Sequence, residues 1–308
     1  MTSPSAARGT GRRAGVSQWA LAWRRFKKNK AAVAGLIIVG FIAFLAAFDR
    51  LVAPYPPNCI IGISPLCPGS YTTNKPPSFA HPFGVDINGE DVYSQIIYGA
   101  RPAFYVGFGA TAIAMVISVL IGLAAGYYGG VIDNVLMRLT EVFLVLPFLL
   151  ILLVFLKVLY VFNSTASGGL GIVIFIIGAL SWPGNARIIR AEVLHVREFE
   201  FIEASRQIGA SARRILFRHL LPNVLHVLIV LTTLQIAASI LIEAGVSFLG
   251  FGDQNTATWG RELSFGSASV NQAWWVGAFP GIFLTVLVMG FNLLGNGLRD
   301  ALDPRLRE

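Results

Sequence analysis

The segment Glu203-Ala-Ser-Arg-Gln-Ile-Gly209, which continues to Leu220-Leu-Pro-Asn223, is basic and amphipathic and lies between two long apolar runs. Its apolar residues recur at roughly helical spacing, with glutamates and arginines between them, which is typical of a helix with one buried face. Gly209 and Ser211 interrupt the pattern, so the sequence predicts two short helices joined by a turn. Membrane proteins rarely keep such a stretch between spans unless a soluble partner docks there. The segment therefore indicates a partner on the cytoplasmic side.

The composition around this segment is that of a membrane protein. The chain has 308 residues, of which 55% are hydrophobic and 13% charged, and its mean hydropathy is +0.67. Soluble domains average about 45–50% apolar and about 25% charged residues, and a spanning helix needs roughly 20 mostly apolar residues. The sequence predicts an all-α membrane protein with six transmembrane helices, at 31–53, 101–128, 135–161, 169–189, 224–250 and 274–298. The fourth is the weakest, because Trp182, Pro183 and Asn185 interrupt its inner end.

These spans define the predicted regions of the chain. Residues 1–30 form a cytoplasmic N-terminal tail that ends in an interfacial amphipathic helix, from Trp19 to Lys30. The first transmembrane helix, 31–53, is interpreted as a retained signal anchor, because its apolar part exceeds the roughly 7–15 residues of a signal-peptide core. The other predicted regions are an extracytoplasmic loop at 54–98, a five-helix core at 99–298 that contains the segment 188–222, and a cytoplasmic tail at 299–308.

The basic residues predict the orientation of the chain in the membrane. Cytoplasmic loops of membrane proteins carry an excess of Lys and Arg, and with a cytoplasmic N-terminus 19 of the 24 basic residues fall on the inner side. The sequence therefore predicts a multi-pass protein of the cell membrane with both termini cytoplasmic. The net charge of +8 reports this topology, and nucleic-acid binding is the poorer interpretation of it. The five remaining basic residues lie outside or near outer ends: Arg50, Lys75, Arg101, Lys157 and Arg261.

The chain has only two cysteines, Cys59 and Cys67, and both lie in the predicted outer loop. Disulfides persist in oxidising compartments, so a disulfide between them is favoured over two unpaired thiols. Metal binding by two cysteines without a nearby histidine pair is not favoured.

The predicted outer loop is rich in proline, which excludes a long helix before about residue 88. The stretch from Asp86 to Asp91 resembles the start of a calcium loop. It lacks the glycine at the sixth position and the glutamate at the twelfth that such a loop needs. A turn that caps the next helix is favoured over a metal site, and the sequence predicts no metal site in the chain.

No motif in the chain indicates catalysis. The phosphate-binding G-x-x-x-x-G-K-[ST] pattern is absent from the sequence, and the histidines do not pair with a nucleophile. Glu141 and Glu243 lie within predicted spans, where burying a charge is costly, so both are candidates for a polar translocation path. The alternative is that neighbouring backbone or hydroxyl groups satisfy each carboxylate. An ion-coupled secondary carrier that uses them is a second hypothesis, but the internal repeats of such carriers are not evident.

Several fragments together resemble one family, the C-type permease subunits of the dipeptide/oligopeptide ABC importers, over nearly the whole chain. Three positions depart from the family pattern: Ser205 stands where alanine is usual, Asn296 where aspartate is usual, and Glu90 where a basic or amide residue is usual. The fragments are His81-Pro-Phe-Gly-Val-Asp86, Gly126-Tyr-Tyr-Gly-Gly130 with Asp133, the "EAA" segment from Ala186 to Pro222, Glu243-Ala-Gly-Val-Ser-Phe-Leu-Gly250 with Trp259-Gly260, and Asn292 to Pro304.

The resemblance implies a type I ABC importer permease fold with cytoplasmic coupling helices. It implies four kinds of partner besides membrane lipid: a homologous B-type permease, two ABC ATPase subunits and an extracytoplasmic substrate-binding protein. ATP and Mg would bind to the ATPase subunits, and this chain would be non-catalytic and need no cofactor. Peptide is the favoured substrate, with oligosaccharide, nickel chelate or glutathione as alternatives within the family. By position, the residues that would couple the permease to an ATPase are Glu203, Ala204, Ser205, Arg206, Gly209 and Ala210.

Overall fold

The computed structural model describes residues 18–57, 59–67, 69, 71–162, 169–253 and 255–302. Most of the predicted N-terminal tail and the last residues of the chain lie outside this range. The helices are, in order, α1 (Gln18–Lys28), α2 (Lys30–Ala47), α3 (Asp49–Val52), α4 (Val92–Tyr128), α5 (Gly130–Val145), α6 (Phe148–Phe162), α7 (Leu170–Leu180), α8 (Pro183–Val196), α9 (Glu200–Gln207), α10 (Ala212–Arg214), a π-helix (Ile215–Leu220), α11 (Leu221–Phe248), α12 (Trp259–Ala268) and α13 (Trp274–Leu302).

The described helices supply four to six candidate membrane spans. Four are long and apolar enough to cross a membrane alone: α2, α4, the continuous helix from Ala212 to Phe248, and α13. Two helix pairs pass the same test but are bent, α5–α6 by 87° and α7–α8 by 43°. If each bent pair is one span, the total is six, which is the predicted number. Where the structure describes the chain, isolated β-bridges in the loop before α4 are the only extended pairing.

The predicted third span, 135–161, is not one helix. α5 ends at Val145, Leu146 has an extended conformation with φ −72° and ψ 136°, and α6 begins at Phe148. Pro147 explains the break, because proline lacks a backbone donor and disfavours the helical conformation of the residue before it. A hydropathy profile does not reveal the break, because the residues on both sides of Pro147 are apolar. The α7–α8 bend, in contrast, lies at Ser181 and Trp182, where the sequence predicts an interruption.

Two predicted boundaries also differ from the structure. α2 ends at Ala47 and a separate helical turn follows, so the first span is shorter than 31–53. α4 begins at Val92, so the outer loop ends at Asp91 instead of residue 98. The cause is a helix cap: the Asp91 carboxylate accepts a hydrogen bond from the Ser94 amide at 2.9 Å. Ser94 and Gln95 make the first turn polar, and a hydropathy scan therefore misses it.

Small residues bring the spans into close contact. α13 packs against α2 and α11, while α4 packs against α7, α8 and α11. A Cβ atom on Gly35 of α2 would lie 2.6 Å from the carbonyl oxygen of Gly290 in α13. A Cβ atom on Gly126 of α4 would lie 2.7 Å from Val193 of α8. Lipid tails are as apolar as the helices, so helix association depends on this close packing.

The loop before α4 folds over one end of the spans. Cys59 and Cys67 form a disulfide with a Cα–Cα distance of 6.2 Å. The Asp86 carboxylate accepts hydrogen bonds from the amides of Asn88 at 2.9 Å and Glu90 at 2.7 Å, which forms a turn before the helix. Among the described residues, no group of three or more His, Cys, Asp or Glu side chains could hold a metal ion.

A buried charge cluster joins this loop to α12. Nη2 of Arg261 lies 3.2 Å from Oε2 of Glu90 in the loop and 3.6 Å from Oε1 of Glu262. Glu262 is fully buried, and burial, followed by the nearby charge of Asp86, raises its pKa to about 8. Burial also raises the pKa of Asp86 and of Glu90. The cluster connects parts of the chain that are far apart in sequence.

Candidate coupling site

The segment after α8 is a compact unit whose apolar side is buried against the spans. Ser211 caps α10 by accepting a hydrogen bond from the Arg214 amide at 3.4 Å, and α9 and α10 flank the turn at Gly209, as the sequence predicts. Four apolar side chains, three of them in this unit and one at the end of α8, lie in a shared cluster with Leu123 of α4. They are Val196, Ile202, Ile215 and Leu220, and each is 3% exposed or less.

The second short helix does not stop before the fifth span. α10 continues through the π-helix at Ile215–Leu220 directly into α11, so Pro222 lies in a continuous helix and does not begin a separate one. Pro222 has no backbone N–H to give to an α-helical turn. The turn before it is widened, and the Leu221 amide donates to the carbonyl of Leu216. Movement of the coupling unit would therefore reach α11 without an intervening loop.

The side of the unit that faces away from the spans is exposed. Ile208 is 86% exposed, an unusual position for isoleucine, and Glu203, Ala204 and Arg206 of α9 are exposed as well. Gly209 adopts φ +80°, the left-handed region that favours glycine. An exposed apolar residue that follows a helix with exposed charged and small side chains suits a groove on a partner protein.

Ser205 and Ala210 are partly buried and support this face from within. The Ser205 hydroxyl donates to the carbonyl of Phe201 at 2.7 Å, so the serine that replaces the usual alanine is satisfied inside its own helix. The Ala210 amide donates to the carbonyl of Ser205 at 3.1 Å, which closes the turn. The six residues implied by the resemblance thus lie on one helix and its C-terminal turn.

Three arginines contact the region of the turn between α4 and α5: Arg206 on α9 of the unit, Arg197 at the end of α8 and Arg190 within α8. The Arg206 guanidinium lies 5.1 Å from the centre of the Tyr127 ring. Nη1 of Arg197 donates to the carbonyl of Gly126 at 2.9 Å. Arg190 makes a two-pronged ion pair with Asp133 at the start of α5. In the sequence, Gly126–Gly130 and Asp133 indicated only the family resemblance. Their contacts with the three arginines were not predicted, because the arginines come from elements far along the chain.

The two predicted pathway glutamates are not brought together. The side chain of Glu141 on α5 is 51% exposed, and its Oε2 lies 3.0 Å from Nη1 of Arg138. Glu243 on α11 is 3% exposed and accepts a hydrogen bond from the Ser247 hydroxyl at 2.6 Å. The contacts of Glu243 are those of the structural alternative, a carboxylate satisfied by hydroxyl groups. Its role in a pathway remains a prediction that these contacts do not favour.

Another polar pair inside the spans was not predicted from the sequence. Nδ2 of Asn185 on α8 donates to Oε1 of Gln235 on α11 at 2.8 Å. The sequence marks Asn185 only as an interruption of a span. Gln235 is an isolated amide in an apolar run, and that isolation is the one signal that could have drawn attention to it.

Comparison with known proteins agrees with this architecture. Residues 118–308 match the family model described as "Binding-protein-dependent transport system inner membrane component". The chain belongs to this family. Residues 17–77 of the permease match a second model, "N-terminal TM domain of oligopeptide transport permease C". The permease is therefore an inner membrane component of an ABC transporter, and it is similar to the C-type permeases over both of its parts.

Relatives of the permease cover almost its whole length. It is 39% identical over 288 residues to the dipeptide transport system permease protein DppC of Bacillus subtilis, covering 93% of this chain and 85% of that protein. It is 34% identical over 294 residues to the oligopeptide transport system permease protein OppC of the same organism, covering 95% and 92%. A chain of the inward-facing MetNI methionine ABC transporter aligns with a TM-score of 0.57 at 19% identity, covering 68% of this chain and 96% of that chain. This likeness shows the fold, which is that of a type I ABC importer permease.

Proposed function

We propose that the permease forms half of a translocation pathway for peptides and couples it to ATPase subunits in the cytoplasm. One observation carries the coupling role: the exposed Ile208 face of α9 is joined to the spans by Arg206 on Tyr127 and by the continuous helix into α11. The names of the relatives support peptide as the substrate class, because they are dipeptide and oligopeptide permeases. Neither alternative cargo nor an ion-coupled carrier has comparable support.

The proposed assembly contains a homologous B-type permease, two ABC ATPases and an extracytoplasmic substrate-binding protein. This sequence has no phosphate-binding loop, so ATP and Mg are assigned to the ATPase subunits. Closure of the ATPases would move α9. The contacts of Arg206 with Tyr127 and of Arg190 with Asp133 would transmit that movement to α4 and α5. The spans would then switch between inward-open and outward-open states by rigid-body motion.

Contacts within the chain support a common side for the termini and the coupling unit. Nδ2 of Asn29 lies 3.2 Å from Oδ2 of Asp300, so both ends of the membrane domain meet on one side. Near the start of α4, Arg101 pairs at 3.1 Å with Asp49, which follows the end of α2 opposite to Asn29. The other end of α4, where Tyr127 contacts Arg206, therefore lies on the same side as Asn29 and Asp300. Together with the excess of basic residues, this supports cytoplasmic termini and an extracytoplasmic disulfide loop.

The test is an affinity purification of the tagged permease in mild detergent, followed by reconstitution into liposomes. We expect a second permease and two ATPase subunits to co-purify, and peptide uptake to require ATP and a loaded binding protein. A lone oligomer without ATPase activity would refute the importer assignment. An intact complex that hydrolyses ATP but ignores peptide would refute the substrate assignment only.

A further inference from the structure

A ladder of neutral polar side chains crosses three spans in the interior of the permease. Asn185 of α8 donates to Gln235 of α11 at 2.8 Å. Nε2 of Gln235 lies 3.4 Å from Oγ of Ser239, and Oγ of Ser239 lies 3.3 Å from Oγ1 of Thr111 on α4. Ser239 and Thr111 are buried, whereas Asn185 and Gln235 are only half-buried. The two amides therefore form the accessible end of this chain of hydrogen bonds, and the two hydroxyls form its buried end.

The two amides lie beside the break between α7 and α8, and Gln235 lies near the middle of the predicted fifth span, 224–250. The break between α7 and α8 is fixed by Ser118 of α4, whose hydroxyl donates to the carbonyl of Trp182 at 2.9 Å. Ser118 precedes the end of α4 at Tyr128, and Asn185 precedes the end of α8 at Val196, by similar lengths of helix. At 1.5 Å per residue both positions lie roughly 15 Å from the coupling end.

Lipid tails cannot satisfy the hydrogen-bonding groups of the Asn185–Gln235 pair. Each side-chain amide has two N–H donors and a carbonyl acceptor, and the contact between Asn185 and Gln235 uses one donor and one acceptor. The carbonyl oxygen of Asn185 and further N–H groups of both side chains are left over. Lipid tails cannot satisfy them, and polar side chains in spans usually face a bundle interior or a water-filled cavity. The half-exposed face of the pair must therefore meet water, substrate or another protein.

We infer that Asn185 and Gln235 line the translocation pathway and hydrogen-bond the backbone of the passing peptide. This inference rests on the proposed function. Every peptide bond offers one N–H donor and one C=O acceptor, and a side-chain amide complements both without a charge. A neutral pair at the helix break can thus hold peptides whose side chains differ. A fixed charge at the same depth would discriminate among them.

The first test measures whether the pair faces water in the assembled transporter. Both native cysteines are joined in the disulfide, so Gln235→Cys introduces one free thiol into the chain. The buried neighbour on the same helix gives the control, Ala237→Cys, because Ala237 is 3% exposed. A charged, membrane-impermeant thiol reagent should modify residue 235 but not residue 237, and saturating loaded binding protein with ATP should change the rate. No modification at residue 235 in any nucleotide state would mean that another subunit covers the pair, and would overturn the inference.

The second test separates contact with the peptide from contact with water. Asn185→Leu and Gln235→Met keep side-chain size but remove the amides, and each should raise the apparent KM for uptake by roughly two- to tenfold, the effect of one neutral hydrogen bond. Thr232→Val is the control, since the Thr232 hydroxyl donates only to its own helix at Leu228, 2.7 Å away. The Thr232→Val control should leave both the apparent KM and the ATPase activity without peptide unchanged.

A peptide with N-methylated backbone amides gives the decisive comparison, because it lacks the N–H that the pair would bind. The wild-type permease should discriminate against it more strongly than Asn185→Leu does, because the carbonyl oxygen of Asn185 is the acceptor left for a peptide N–H. Equal discrimination, or an unchanged KM in both amide variants, would overturn the inference even if residue 235 is water-accessible. If the wild-type complex transports no peptide at all, the proposed function fails instead, and the thiol accessibility still reports on the pair.

Discussion

The Arg206 guanidinium on the coupling helix lies 5.1 Å from the centre of the Tyr127 ring at the end of α4. Residue 206 belongs to the face that meets the proposed ATPase, and residue 127 belongs to a span. This contact joins that face directly to the end of α4. It is a cation–π interaction, worth roughly 0.5–1 kcal/mol at a partly exposed site.

Tyr127→Leu should weaken the coupling of ATP hydrolysis to transport. The ring is lost but the apolar volume is largely kept, so we expect the complex to assemble and hydrolyse ATP while uptake per ATP falls several-fold. Arg206→Gln should add little in the Tyr127→Leu background, because the pair acts as one unit. Tyr105→Leu, an exposed tyrosine elsewhere on α4, is the control. Additive losses from the two single variants would contradict a shared role.

Gly209→Ala should reduce transport through backbone strain alone. Gly209 has φ +80°, and nothing lies within 4 Å of a Cβ atom placed there. The cost of about 1–2 kcal/mol for a left-handed conformation thus falls on the turn itself. Gly209→Pro should abolish uptake, because proline also removes the amide that donates to Arg206 at 3.0 Å. Gly245→Ala, at an equally open position with ordinary helical φ, is the control, and membrane insertion should be normal in all three.

Glu203→Lys should uncouple transport with only a small loss of stability. Glu203 is an exposed residue in the first turn of α9, where a negative charge favours the positive end of the helix dipole by about 0.3–1 kcal/mol. Reversing the charge would oppose the dipole and alter the docking face. Uptake and co-purification of the ATPases are the measurements, and Glu198→Lys, exposed but before the helix, is the control. Normal ATP-driven uptake by the Glu203 variant would remove the coupling assignment for this residue.

The stability of the permease should fall as pH rises, owing to Glu262. Its pKa moves from 4.5 to about 8 in the folded protein, so between these values the folded state holds a proton that the unfolded state has released. Stability therefore decreases with rising pH across this window. Asp86 and Glu90 add to the slope with the same sign, because burial raises both pKa values.

Glu262→Gln should flatten this dependence. The measurement is thermal unfolding in detergent from pH 5 to 9, with the exposed Glu198→Gln variant as the control. We expect the wild-type midpoint to fall toward high pH, and the Glu262 variant to lose most of that slope. A midpoint that rises with pH in the wild type would contradict the sign derived for this buried carboxyl.

Removal of the disulfide should loosen the outer loop without affecting the coupling face. The bridge joins residues 8 apart, and closing a loop of this size stabilises by about 2–3 kcal/mol in the chain-entropy model. Cys59→Ser with Cys67→Ser should speed protease cleavage of the loop and leave ATPase co-purification unchanged. Reductant should reproduce the effect in the wild type and do nothing to the double variant.

Much of the architecture could be predicted because it depends on local sequence. Apolar runs, the proline-rich loop and the interruption at Gly209 act over a few residues, and they indicate the number of spans and the two short helices around the turn. Prediction failed where a single residue overrides a run, as Pro147 does within the third span, or where a polar first turn hides a helix start, as after Asp91.

By itself, the sequence determined that the chain is a helical membrane protein with a docking segment between its fourth and fifth spans, and it carried the resemblance that family comparison confirms. Only the tertiary structure decided which polar groups meet. Arg206 reaches Tyr127, Arg190 reaches Asp133, and Asn185 reaches Gln235. The physical reason is that these partners are 50 or more residues apart in sequence. Their contact depends on how the spans pack, and no periodic pattern of residues in the sequence indicates it.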